Sequence, residues 1–161
     1  RLAENTGMSR DEAVSLMGAI LPHLKRWSAV HANEMSHGKE ARERYGDAAV
    51  DAANERQLGM SEAEWDAKET LEQAIIEQLK AAVAAGNVMG PEAAKLAQMH
   101  ARWIRMQWGE GAYSTDAHVA LAQSYLEDER FVDYYDSRAG EGATAVLVAA
   151  IEAATGESGI D

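Results

Sequence analysis

Ser61-Glu-Ala-Glu64-Trp65-Asp-Ala-Lys-Glu-Thr-Leu71-Glu-Gln-Ala-Ile75-Ile76-Glu-Gln-Leu79-Lys-Ala-Ala82-Val83-Ala-Ala85 is the longest stretch that reads as one uninterrupted element. Its opening Ser-x-x-Glu is a capping-box pattern, in which serine and glutamate each satisfy the other's backbone N–H at a helix start. Behind it the apolar residues recur in two stripes, Leu71/Ile75/Leu79/Ala82 and Trp65/Ile76/Val83. Two stripes imply burial over a broad arc, so the spacing predicts a central helix over about Glu62 to Ala85. Gly86-Asn87 stops it, and Gly90-Pro91 restarts the chain with proline at the first helical position.

The same grammar extends in both directions. Upstream, Ser9-Arg-Asp-Glu12 is another capping box, opening a helix through Val14, Met17, Leu21 and Leu24. Pro22 inside that pattern is expected to kink or split it. His31 to Lys39 reads as a connector, and Lys39 to Tyr45 as a short helix stopped at Gly46. Asp47 is expected to cap an alanine-rich helix ending near Gly59. Downstream, Pro91 to Trp108 forms a helix carrying Leu96, Met99, His100, Trp103, Ile104 and Met106, and Gly109-Glu-Gly111 breaks it. Ser114 or Thr115 caps the next, with His118, Leu121, Ala122 and Tyr125 on one face. A short helix holds Phe131 and Tyr135 and ends at Gly140. The last runs from Ala143 to Ala154, with Val146, Leu147, Ala150 and Ile151 in helical register.

Composition agrees. At 161 residues the chain suits one domain with a real core. Two prolines, abundant alanine and no alternating β-branched run favour an all-α fold of six to seven helices. The formal net charge of −12 repels phosphate backbones, so no nucleic-acid contact is expected of this segment, and acidity also serves solubility. The absence of cysteine excludes disulfides, thiolate metal sites and cysteine nucleophiles. The longest apolar runs, such as Ala143 to Ala150, are too short to span a bilayer, and no signal-like start appears. The cytoplasm is the expected compartment, without membrane contact.

One family gathers these pieces in order. The stretch Tyr125-Leu-Glu-Asp128-Glu-Arg130-Phe131-Val-Asp-Tyr134-Tyr135-Asp136, with Glu40-Ala-Arg-Glu-Arg-Tyr45-Gly46-Asp47 upstream, resembles the TipAS family. These are the antibiotic-recognition domains of thiopeptide-induced, MerR-type transcription activators. The likeness runs from Glu40 to Ala154. It takes in the capped helix with early Trp65, the His100-x-x-Trp103-Ile104 helix and the His118-x-x-Leu121-Ala122-x-x-Tyr125 helix. Asp128-x-Arg130-Phe131 and Tyr135-Asp136 follow. No single motif is specific; their order and spacing are. The resemblance implies a globin-like helical arrangement that closes around bulky apolar drugs. The Gly109 to Tyr113 linker is longer here than in the family pattern. The linker cysteine by which some members capture dehydroamino-acid drugs is missing.

The resemblance places the recognition domain at residues 39–161 and leaves 1–38 as an N-terminal helical segment, a linker or remnant of a DNA-binding part. Leu2-Ala-Glu-Asn-Thr6-Gly7-Met8-Ser9 looks like the opening of a MerR-type helix-turn-helix. The basic aromatic segment, the wing and a long heptad helix that should follow are absent. A homodimer, if formed, is expected through a missing N-terminal part.

The candidate ligand-binding residues are Trp65, Met99, His100, Trp103, Met106, Trp108, Tyr113, Phe131 and Tyr134. Flat rings give contact area at low entropic cost, and methionine adapts to irregular ligands. By helical spacing Trp103 and Phe131 equally serve as core. Trp108 and Tyr113, flanking a glycine-rich break, are the better candidates for ligand contact. His100 and His118 lie on neighbouring helices and are expected to be core histidines. No His-Glu-x-x-His pattern, metal set, cofactor motif or nucleophile–base pair is present, so neither metal nor cofactor nor catalysis is expected. Arg130 with Asp128 and Asp136 reads as an ion-pair clamp. The ligand expected is a small-molecule antibiotic; the alternative is a groove for an amphipathic helix of a partner protein.

Overall fold

The computed structural model describes residues 7–158, and among these the protein has seven helices and no strand. They are α1 (Arg10–Tyr45), α2 (Asp47–Leu58), α3 (Glu62–Ala85), α4 (Pro91–Trp108), α5 (Thr115–Tyr125), α6 (Glu129–Ala139) and α7 (Ala143–Ser158). The fold is all-α, as its capping and spacing predict. Most of the helix-turn-helix-like opening, residues 2–6, lies outside the described residues. The chain divides into two compact units, Arg1–Trp65 and Asp66–Asp161.

In the first unit α1 pairs with α2. The Ser9 capping box forms as read: Ser9 N–H donates to Glu12 Oε2 at 2.8 Å, and Glu12 N–H donates to Ser9 Oγ at 3.2 Å. The expected break does not occur. Pro22 is accommodated within α1, and His31 to Lys39 is helix rather than connector. A side-chain network explains why that polar stretch holds. Arg42 donates to Glu34 Oε1 at 2.6 Å, to Asp47 at 3.1 Å and to Asp51 at 2.7 Å, while Asn54 donates to Glu34 Oε2 at 3.0 Å. Gly38 makes room for the Glu34 carboxylate, since a Cβ there would lie 2.6 Å from its Cδ. The cap of α2 is Gly46, whose φ of +86° suits glycine; Asp47 is the first helical residue and is spent on Arg42.

The N-terminal half of α1 exposes Val14, Leu16, Met17, Ile20, Leu21, Leu24 and Trp27. These form one arc of the helix, and Trp27 stacks on His31 at 4.9 Å.

In the second unit a single core joins Ile75, Leu79 and Ala82 of α3 with Ala93, Leu96 and Ala97 of α4, Ala122 and Tyr125 of α5, and Tyr135 of α6. Its centre is α7 rather than α3: Ala143, Leu147, Val148, Ala150 and Ile151 are buried, and the helix packs on α4, α5 and α6. A helix apolar on nearly every side must be enclosed, and its alanines let neighbouring backbones approach. Asp136 fixes the start of α7, accepting from Gly142 N–H at 3.0 Å, Thr144 N–H at 2.8 Å and Thr144 Oγ1 at 2.7 Å. The expected clamp is thus divided: Arg130 pairs with Asp128 at 2.7 Å, while Asp136 is a cap.

Candidate ligand-recognition site

Two features of the second unit carry site chemistry. The first is a run of polar rings through its core. His100 on α4 and His118 on α5 are both buried, with His100 Nδ1 2.8 Å from His118 Nε2. Their spacing on successive helices brings the rings edge to edge and nearly coplanar, centroids 5.0 Å apart and planes inclined by 6°. On the outer side the Tyr113 hydroxyl lies 3.3 Å from His118 Nδ1; on the inner side the Tyr125 hydroxyl lies 3.4 Å from His100 Nε2. The Tyr125 ring in turn packs against Tyr135 of α6, their centroids 5.6 Å apart. Four side chains from α4, α5 and the Gly109–Ser114 linker thus form one continuous path.

Burial decides the charge state of that path. Burial, with His118 beside it, pushes His100 down to about 3; burial, with Arg105 nearby, pushes His118 down to about 4. Both rings are neutral at physiological pH. Burial likewise holds the Tyr135 hydroxyl well above the usual tyrosine range, so it stays protonated. The Arg105 guanidinium sits 4.2 Å over the Tyr113 ring, a cation–π contact that fixes the linker tyrosine at the mouth of the path.

The second feature is an open cavity of about 590 Å³ between α3 and α6. Glu69, Glu72, Gln73, Ile76 and Glu77 line one wall, and Tyr134 and Arg138 the other. Arg138 stacks 3.9 Å over the Tyr134 ring, whose hydroxyl donates to Glu72 Oε1 at 3.5 Å. Burial and the neighbouring Glu72 raise the Tyr134 hydroxyl above its ordinary value, keeping it a donor.

The nine candidates fall at different places relative to these features. Tyr134 lines the cavity and Tyr113 heads the polar path, in which His100 is a central link. Met99, Trp103 and Phe131 are partly buried against the core, with Phe131 4.7 Å from Tyr125 and Trp103 5.6 Å from His100. The Trp103 indole N–H is buried without a hydrogen-bond partner among the described residues. Met106 and Trp108 are half-buried at the end of α4, and Trp65 is buried. Sequence reading left Tyr125 and Tyr135 out of the candidate set. The signal was present for Tyr125, which lies two helical turns from His118 on the same face; Tyr135 carried none beyond its register in α6.

The helical unit thus carries a buried polar path and a side cavity. The comparisons name the class. The TipAS antibiotic-recognition domain matches residues 37–154, and the chain belongs to that family. No curated protein and no solved structure matches it. No described helix is long and apolar enough to cross a membrane.

Proposed function

We propose that this protein senses bulky, largely apolar antibiotics, of the size and shape of macrocyclic peptides, by enclosing them against the second unit. The observation that carries the reading is the antibiotic-recognition match over residues 37–154. The α3/α6 cavity supplies a place for the ligand, since about 590 Å³ falls within the range typical of small-molecule sites. Its acidic rim favours ligands that present N–H donors or positive charge, and Tyr134 and Ile76 supply apolar contact. In this reading residues 39–161 form the recognition domain and 1–38 the segment leading into it. Binding shifts the domain toward a closed state, which a fused MerR-type DNA reader feels as altered geometry. Without such a reader the protein acts in the cytoplasm by sequestering the drug. It works as a binder, not an enzyme, and leaves nucleic acid to the reader.

The test is a fluorescence titration with a thiopeptide macrocycle, which is expected to perturb tryptophan emission. Trp108→Ala and Tyr134→Ala are each expected to weaken binding by about 1–3 kcal/mol, as aromatic anchors do. A wild-type protein that does not bind overturns the reading. Unchanged affinity in both variants, with helicity intact, moves the site elsewhere.

A second reading is favoured by α1. Residues 13–24 contain no Asp, Glu, Lys or Arg, yet Val14, Met17, Leu21 and Leu24 are exposed there. In this reading the apolar arc takes an amphipathic helix of a partner protein. Sedimentation of wild type and Leu21→Glu, with and without an amphipathic helical peptide, separates the cases: peptide uptake lost in the variant supports it. A wild type that ignores the peptide removes it, and self-association points to a homodimer instead.

A further inference from the structure

The N-terminal half of α1 is a helix that its own chain does little to hold. Every residue from Val14 to Leu21 is exposed, so no side of this length is packed among the described residues. Gly18 lies within it, and a Cβ added there would meet nothing within 4 Å, so the chain's own packing does not ask for glycine. Pro22 follows one turn later. Glycine and an interior proline both weaken a solvated helix, and helices in water draw most of their stability from packing. Such a segment stays helical when another surface covers it.

The pattern of the segment matches its own reverse. Val14, Met17, Leu21 and Leu24 recur at three-four-three spacing, the seam of a two-stranded coil. When a second copy runs antiparallel, Val14 faces the second copy's Leu24 and Met17 faces its Leu21. On one flank of that seam Gly18 meets Gly18 of the second copy at the two-fold axis, where the missing side chains let the helices close up. The same flank sets Asp11, which is exposed, against the second copy's Lys25, also exposed, and the symmetry repeats the pair at the other end. On the other flank Trp27 covers the second copy's Ala13, large against small. A parallel pair would instead gather Asp11 and Glu12 of both copies at one end and Lys25 and Arg26 of both at the other. Charge therefore decides the direction. Pro22 falls outside the seam.

We infer that α1 is a dimer interface, its exposed apolar arc closed by the same arc of a second copy of this chain in antiparallel register, with Asp11–Lys25 pairs fixing the direction. The inference is independent of the antibiotic reading. It starts from the arc that the second reading gives to a partner protein's helix and assigns it a different occupant.

Sedimentation equilibrium of the full chain over a concentration series tests the interface. The mass is expected to rise from 17.4 kDa toward twice that value, and Leu21→Glu to stay at one chain. Amide exchange across residues 13–24 is expected to slow as the dimer forms. The direction is tested with charge. Asp11→Lys and Lys25→Asp each set like charges against one another at both ends of their own dimer, and each is expected to weaken self-association about tenfold. Mixed together, the two variants bring opposite charges back to both ends and are expected to pair as tightly as wild type. The altered helix start is present in the mixture too, so recovery reports pairing and not folding. A wild type that stays monomeric overturns the inference, as does a dimer that Leu21→Glu leaves intact. Single variants that associate like wild type, or a mixture no tighter than either variant alone, overturn it as well. A monomeric wild type that takes up a foreign amphipathic peptide sinks this inference and leaves the partner-helix reading standing.

Discussion

His100 Nδ1 lies 2.8 Å from His118 Nε2, and the two rings meet edge to edge in nearly one plane, inclined by 6°. Two imidazolium ions in that geometry would repel, and burial disfavours a charge on either ring, so the pair is neutral near physiological pH. The interior of the second unit is thus built around a polar contact that survives because its charge is suppressed.

That suppression predicts an acid-sensitive fold. Unfolded, both histidines titrate near the ordinary value of about 6.5. Folded, they take up protons only at about 3 and about 4. Between those limits the unfolded chain binds more protons, so stability falls as pH drops below about 6.5, by up to about 1.4 kcal/mol per pH unit for each histidine. Asp136, held below its usual range by the Thr144 N–H, adds to the loss only lower, in the carboxylate range. Urea melts between neutral pH and about pH 5 are expected to show the decline, and His118→Leu to flatten it. An unchanged slope in that variant would mean the histidine is not the sensor.

Leu147 is fully buried at the centre of the second unit, on the helix that three others share. Leu147→Ala opens a cavity that α4, α5 and α6 cannot all close upon, and is expected to cost about 2–5 kcal/mol. Denaturant unfolding followed by circular dichroism measures it. Val146, only partly buried one residue earlier, is expected to cost less when cut to alanine.

The boundaries around this core were legible because their chemistry is local. Ser9, Ser61, Gly86, Pro91 and Gly109 mark helix ends by their own side chains or backbone freedom, and the helices begin and stop at or beside them. What was not legible depended on partners distant in sequence. The His31 to Lys39 stretch lacks apolar periodicity; it is helical in a unit where Glu34 holds both Arg42 and Asn54. The centrality of α7 was hidden because alanine reads as helix former and not as core. The α3/α6 cavity joins Glu72 to Tyr134, sixty-two residues apart, and no spacing rule connects them.

Arg42 offers a test of the first unit. Its guanidinium holds Glu34, Asp47 and Asp51 at once, which raises its own affinity for the proton and lowers that of Glu34. Arg42→Met leaves three carboxylates facing one another. Amide hydrogen exchange across residues 47–58 is expected to speed up, and high salt to shrink the difference between variant and wild type. Equal exchange in both would mean that α2 is held by apolar contact alone.

Covalent capture of the ligand gives the last prediction. Dehydroalanine-bearing thiopeptides are soft electrophiles, and the nucleophile they take most readily near neutral pH is a thiolate. This chain has no cysteine. Among its lysines, Lys68 is only 8% exposed, and burial lowers its proton affinity against the opposing pull of Glu72 and Glu69. A lowered proton affinity leaves more of the amine unprotonated and able to attack, yet the same burial denies a bulky macrocycle access to it. Binding is therefore expected to be reversible, and mass spectrometry after incubation and denaturation should return the unmodified 17.4 kDa chain. A stable adduct that disappears in Lys68→Arg would show that the site opens far enough to bring the ligand to that amine, and that enclosure in this protein includes bond formation.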